Sequence, residues 1–172
     1  VWNCPRTDEV GPPRPTASDG KLRVLYQGSL VPPRLPGAVI EALTLLPAEV
    51  TLDVIGYETL GSYGYVQELT QLAQQQGVGH RLTFLGSMPR GQMLHACQAY
   101  DVGLALMPLQ ADDSNLAAMA GASNKAFDYL AAGMALLVSD LPEWLTLYVE
   151  GGYALAADPG DPASLATALR WY

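Results

Sequence analysis

The sequence predicts an α/β fold, doubly wound, with a mainly parallel Rossmann-like sheet and helices on both faces. Three observations predict it. Short apolar runs alternate with amphipathic helical stretches in the order βαβαβαβαβ between Leu22 and Ser139. The runs are apolar along their whole length, as strands covered on both faces are. Three of them run into glycine, at Gly28, Gly56 and Gly86, where a side chain would block close approach to the carboxyl end of the sheet. Alternation of this kind, with strands apolar along their length, implies a parallel sheet wrapped by helices on both faces, its crossovers right-handed as in nearly every case.

Residues 1–20 are rich in Pro, Asp, Thr and Gly with little apolar periodicity, and they read as an interdomain linker ahead of a folded unit over 21–172. That unit opens with a strand, Leu22 to Gln27, running into Gly28 and Ser29. Pro32, Pro33 and Pro36 hold the next loop extended before a helix with Val39, Ile40, Leu43 and Leu46 on one face. There follow a strand from Thr51 to Ile55, a Gln-rich helix from Tyr65 to Gln76, and a strand from Arg81 to Leu85. A helix from Pro89 to Tyr100, a strand from Asp101 to Leu106 and a small-residue loop from Pro108 to Ala122 come next.

The stretch from Ser123 to Ser139 then joins a polar loop, a short helix and a buried strand, the kind of junction that holds an anion. Asn124 is expected to cap the helix, and Lys125 adds a positive charge at the positive end of its dipole. Asp128 follows on the same helical face, within reach of the neutral hydroxyls of a ligand whose phosphates rest on the cap. Gly133 ends the helix in the left-handed conformation, and the run to Val138 is a strand.

The 172 residues suffice for one domain or one half of a larger enzyme. A formal net charge of −8, with only nine scattered basic residues, argues against nucleic acid and against an anionic membrane surface. Cys4 and Cys97 are far apart and have no companion motif, so neither a disulfide framework nor a zinc site is expected. No apolar segment is long enough to span a membrane, the start lacks the pattern of a signal peptide, and a cytoplasmic location is expected. His80 and His95 read as structural or exposed, and Trp144, Tyr148 and Trp171 as packing residues.

Val24-Leu25-Tyr26-Gln27-Gly28-Ser29-Leu30, Val54-Ile55-Gly56, Thr83-Phe84-Leu85-Gly86-Ser87-Met88 and Asn124 to Ser139 occur in order. The Asp140-Leu141-Pro142-Glu143 turn, Asp158 and the Asp161-Pro162 helix start follow. As an ordered set they resemble the C-terminal, donor-binding domain of family-4 retaining glycosyltransferases of the GT-B fold, over Lys21 to Arg170. The resemblance implies a nucleotide-diphosphate sugar as donor substrate, no further cofactor, no metal, and a partner N-terminal domain that binds the acceptor. It places the base near Phe84, Gly86, Ser87 and Met88, the ribose on Asp128, and the phosphates on the helix end at Asn124 beside Gly28, Ser29 and Gly56. Arg34 and Lys125 would neutralise the departing diphosphate, and that diphosphate would help deprotonate the acceptor.

Two positions depart from the family pattern. Ser29 stands where such enzymes usually carry an arginine, and Ala120 stands where many carry a glutamate eight residues before the position of Asp128. Asp113, Ser114 and Asn115 lie just upstream as candidates for the sugar hydroxyls, and Asp112-Asp113 is an adjacent pair rather than a metal-binding DxD. Three functions stay open: a transferase half, a non-catalytic nucleotide-sugar binding module, and one half of a GT-B-like epimerase.

Overall fold

Six strands and six helices are described by the computed structural model, which covers residues 3–12, 19–110 and 119–172. The strands are β1 (Leu22–Leu30), β2 (Val50–Glu58), β3 (Leu82–Gly86), β4 (Val102–Ala105), β5 (Ala135–Ser139) and β6 (Ala154–Ala157). The helices are α1 (Ala38–Thr44), α2 (Tyr65–Gln75), α3 (Arg90–Cys97), α4 (Asn124–Ala131), α5 (Pro142–Trp144) and α6 (Pro162–Trp171). A π-helical turn, Leu145–Val149, continues α5. The sheet order is β3-β2-β1-β4-β5-β6, and every neighbouring pair is parallel.

Both faces of the sheet are buried at its centre, over β4 and β5 and the middle of β1, whereas the edge strand β3 leaves Thr83 and Leu85 exposed. Tyr26, Leu52 and Val54 pack with Ile40, Leu43, Leu69 and Leu165 of α1, α2 and α6 on one face. Leu25, Ile55, Leu136 and Val138 pack with Leu94, Tyr129, Trp144 and Tyr148 on the other. Trp144 and Tyr148 are completely or almost completely buried, which bears out their reading as packing residues, whereas for Trp171 that reading is corrected: at the last residue of α6 it is 74% exposed. The start of α6 follows from its sequence: Asp161 accepts a hydrogen bond from the Ala163 amide at 2.9 Å, and Pro162 occupies the first turn.

The order βαβαβαβαβ holds from Leu22 to Ser139, and a sixth strand, Ala154–Ala157, lies beyond it. Its Ala-Leu-Ala-Ala sequence carries no β-branched or aromatic residue, so nothing local marks it. It is held by pairing with β5 from Leu136↔Ala154 to Ser139↔Ala157. The expected endings of the first two strands are also corrected. β1 continues through Gly28 and Ser29 to Leu30, paired with β2 as far as Leu30↔Glu58, so Gly28 and Gly56 face each other inside the ladder. Gly86 does end β3, with φ +72°.

Candidate functional site

The chain builds outward from β1 in two directions, through β2 and β3 on one side and β4 to β6 on the other. A crevice therefore opens at the carboxyl end between β1 and β4, where open α/β sheets hold ligands. β1 pairs with β4 only up to Tyr26↔Leu104, and the strands then part. The Gln27 amide, left without a strand partner on that side, donates to the Tyr129 hydroxyl of α4 at 2.7 Å. Tyr129 reaches the sheet because Gly103 has no side chain: a Cβ there would lie 2.3 Å from the Tyr129 ring.

Four of the expected site residues meet in this crevice: Gly28, Ser29, Arg34 and Lys125. Lys125 is 7% exposed, with Nζ 4.9 Å from the centroid of the Tyr26 ring. Its chain passes so close to Gly28 that a Cβ there would lie 2.9 Å from Lys125 Cε, and Gly28 itself has φ +125°, which L side chains rarely adopt. A Cβ on Gly56 would lie 2.0 Å from the Gly28 carbonyl oxygen, so the paired glycines allow the backbone to pack this tightly. Arg34 Nη1 donates to Ser29 Oγ at 3.2 Å, which holds the guanidinium over the end of β1. Burial first, and the nearby Arg34 charge second, push the Lys125 ammonium down to about 7. Among the described residues Lys125 forms no ion pair with a carboxylate. Two cationic side chains thus share a partly dry crevice with no carboxylate paired to Lys125 among the described residues, an arrangement suited to an anion.

The capping assignment is corrected. Ser123, with extended φ −75° and ψ 115°, is the N-cap of α4, and Asn124 is its first helical residue, exposed to solvent. Ser123 makes no side-chain capping bond, so the first-turn amides of α4 take no hydrogen bond from the cap side chain. The shared-face expectation is corrected with it: Asn124 points outward, whereas Lys125 and Asp128 are buried. Asp128 is 1% exposed, and both its oxygens are engaged. Arg90 approaches in a fork, with Nη2 to Oδ1 at 2.9 Å and Nη1 to Oδ2 at 3.2 Å, and Gln27 Nε2 donates to Oδ2 at 3.1 Å.

The family model for glycosyl transferases group 1 matches residues 21–172. The chain belongs to the group 1 glycosyl transferases. The solved structures with the same fold include HepE of Anabaena in complex with UDP and glucose, with TM-score 0.69 and 20% identity over 88% of this chain and 38% of HepE. The C-terminal domain of LpcC, a group 1 family protein of Francisella tularensis, aligns with TM-score 0.68 and 17% identity over 88% of this chain and 75% of that domain chain. Sucrose-phosphate synthase of Thermosynechococcus elongatus aligns with TM-score 0.68 and 17% identity, over 88% of this chain and 36% of its own. No curated protein sequence matches. This glycosyl transferase chain thus spans less than half the length of HepE, and its architecture is that of one GT-B half.

The remaining expected site residues of this glycosyl transferase lie further along the sheet edge. Phe84 packs against the core on the α1 and α2 face. Gly86 and Ser87 are exposed after β3, and Met88 turns into the opposite core beside α3. Ala120 is buried, and its carbonyl accepts from the Tyr148 hydroxyl at 2.6 Å, so this position is structural in the fold. Asp112, Asp113, Ser114 and Asn115 lie outside the described residues. Among the described residues no group of three or more His, Cys, Asp or Glu side chains could hold a metal, and no helix is long and apolar enough to cross a membrane. Sequence reasoning missed Gln27, Arg90 and Tyr129. Gln27 had a signal, as a buried polar residue directly after the apolar run Val24-Leu25-Tyr26; Arg90 had none, being 38 positions from its partner.

Proposed function

We propose that this domain is the donor-binding half of a retaining, metal-independent glycosyltransferase. Its substrate is a nucleotide-diphosphate sugar. The observation that carries this reading is the buried Lys125 beside Arg34, two cations facing the open backbone at Gly28 with no described carboxylate between them. A diphosphate supplies the missing counter-charge. As the sugar departs, charge grows on the leaving phosphate oxygens, and Arg34 and Lys125 are placed to offset it in a site where water competes weakly. Ser29 replaces the usual arginine by orienting Arg34, so the charge comes from the following loop instead. The first-turn amides of α4, beside Asn124, add donors for the phosphate, and the base lies toward Gly86 and Ser87. The acceptor site and its proton acceptor belong to a second domain, with the leaving diphosphate drawing off the acceptor proton.

In this reading Asp128 contacts the ribose only by sharing oxygens with Arg90 and Gln27, since both oxygens are already occupied. The test is calorimetric titration with UDP-, GDP-, ADP- and dTDP-sugars and the free nucleotides, with Lys125→Met alongside. One nucleotide should bind saturably, and the variant should lose about 1.5–3 kcal/mol of that affinity, the scale of a charge-assisted hydrogen bond. Equal affinity in the variant removes Lys125 from the site. The Ser29 departure favours a second reading, a binding module without turnover. Nucleotide-sugar binding by the full-length protein with no transfer would select it.

A further inference from the structure

We propose that Arg90 is a positioning residue of the donor crevice and that the segment Asn3–Pro12 is a strap that sets it; the inference rests on the donor-site reading above. The strap touches both helices that build the site. Asn3 Nδ2 donates to the Ala122 carbonyl at 2.8 Å, one residue before the N-cap of α4. Gln98, at the end of α3, donates from Nε2 to the Pro12 carbonyl at 3.3 Å. Between these anchors a turn closes on itself, the Arg6 amide donating to Glu9 Oε2 at 2.8 Å and the Glu9 amide to the Arg6 carbonyl at 3.0 Å. That turn fixes the Glu9 carboxylate, whose Oε1 lies 3.4 Å from Arg90 Nε. Glu9, Val10 and Gly11 line a narrow cleft together with Leu94 and Asp128.

Arg90 is held from two sides. Glu9 takes Nε, and Asp128 takes both terminal nitrogens. A guanidinium is a rigid planar fork, so fixing Nε fixes the plane in which it meets the buried carboxylate. Asp128 in turn accepts from Gln27, and the next residue, Gly28, abuts Lys125. A continuous set of contacts therefore runs from the strap to the cation crevice. Glu9 and Arg90 are partly exposed, at 33% and 41%, so their pair is individually weak and its value is geometric. The strap's position, and with it the position of whatever chain precedes it, is thereby coupled to the donor site.

The experiment compares the wild type with Glu9→Gln, Glu9→Asp and Arg90→Gln, reading UDP affinity by calorimetry and amide hydrogen exchange across α4. Glu9→Gln should weaken UDP binding about 2- to 5-fold, the range of a partly exposed ion pair. It should also speed exchange in α4 while moving the thermal midpoint by no more than about 2 °C, as surface substitutions do. Glu9→Asp, which keeps the charge, should recover part of the affinity, a rescue that simple loss of packing would not give. Arg90→Gln, which strands a buried carboxylate, should cost about tenfold or more. If Arg90→Gln does not fold, Glu9→Gln decides alone. Wild-type affinity and wild-type α4 exchange in Glu9→Gln overturn the proposal. If the wild type ignores UDP, the uridine donor reading fails, and faster α4 exchange in Glu9→Gln still supports the strap whereas unchanged exchange overturns it.

Discussion

Lys125 holds its proton weakly. Burial and Arg34 lower its ammonium from 10.5 to about 7. Between those values the unfolded chain binds a proton that the folded chain releases, so stability rises with pH across this window and is lowest below about 7. Urea unfolding at pH 6.5 and 9 should show this rise in the wild type and a smaller one in Lys125→Met, the difference isolating Lys125 from other titrating groups. An anion in the crevice favours the charged form, so binding UDP at pH 8 should take up a proton. Calorimetry in two buffers of different ionisation enthalpy would read that uptake, and Lys125→Met should abolish it. Lys125 and Asp128 were legible as chemistry in the sequence, but their partners were not. Asp128 looked free to meet a hydroxyl because Arg90 and Gln27 are distant in sequence, and only the folded chain brings their charges and amides onto it.

At the scale of elements, α4 is seated by one missing side chain. Tyr129 lies across Gly103 of β4 and reaches the Gln27 amide where β1 and β4 separate. Gly103→Ala would put a methyl 2.3 Å from the Tyr129 ring, so the ring and the helix carrying it must shift. The expected cost is about 3 kcal/mol, at the upper end of overpacking a core, with Lys125 displaced and UDP affinity lost in step. Chemical denaturation and titration of the same variant would check it; wild-type stability would mean that the ring has room to move. The strands with Val, Ile, Leu and Tyr runs were readable because their apolar pattern has one explanation, burial on both faces. β6 was not, since Ala-Leu-Ala-Ala is equally at home in a helix and becomes a strand only beside β5.

The whole molecule gathers its candidate chemistry at the carboxyl end of the sheet and spans 38% of HepE. Its own contribution is measurable. A ligand that binds only the folded state stabilises it by mass action, by about 2.7 kcal/mol at a hundredfold excess over Kd. For a domain of this size that corresponds to a rise of roughly 5–10 °C in the thermal midpoint. Thermal melts over a UDP concentration series should show the rise in the wild type and little of it in Lys125→Met. A flat series would mean that the nucleotide differs or that this domain alone does not hold the site.

The sequence by itself determined the layer architecture and the family, because these follow from local patterns: apolar runs covered on both faces, turn residues and an ordered set of short motifs. The tertiary structure decided which groups are free to meet a ligand. It left Lys125 without a described counter-charge and gave the Asp128 carboxylate to Arg90 and Gln27. It moved the helix cap from Asn124 to Ser123 and folded the strap onto Arg90. Each of these depends on contacts between residues far apart in the chain, whose energies arise only once burial lowers the local dielectric and fixes the distances.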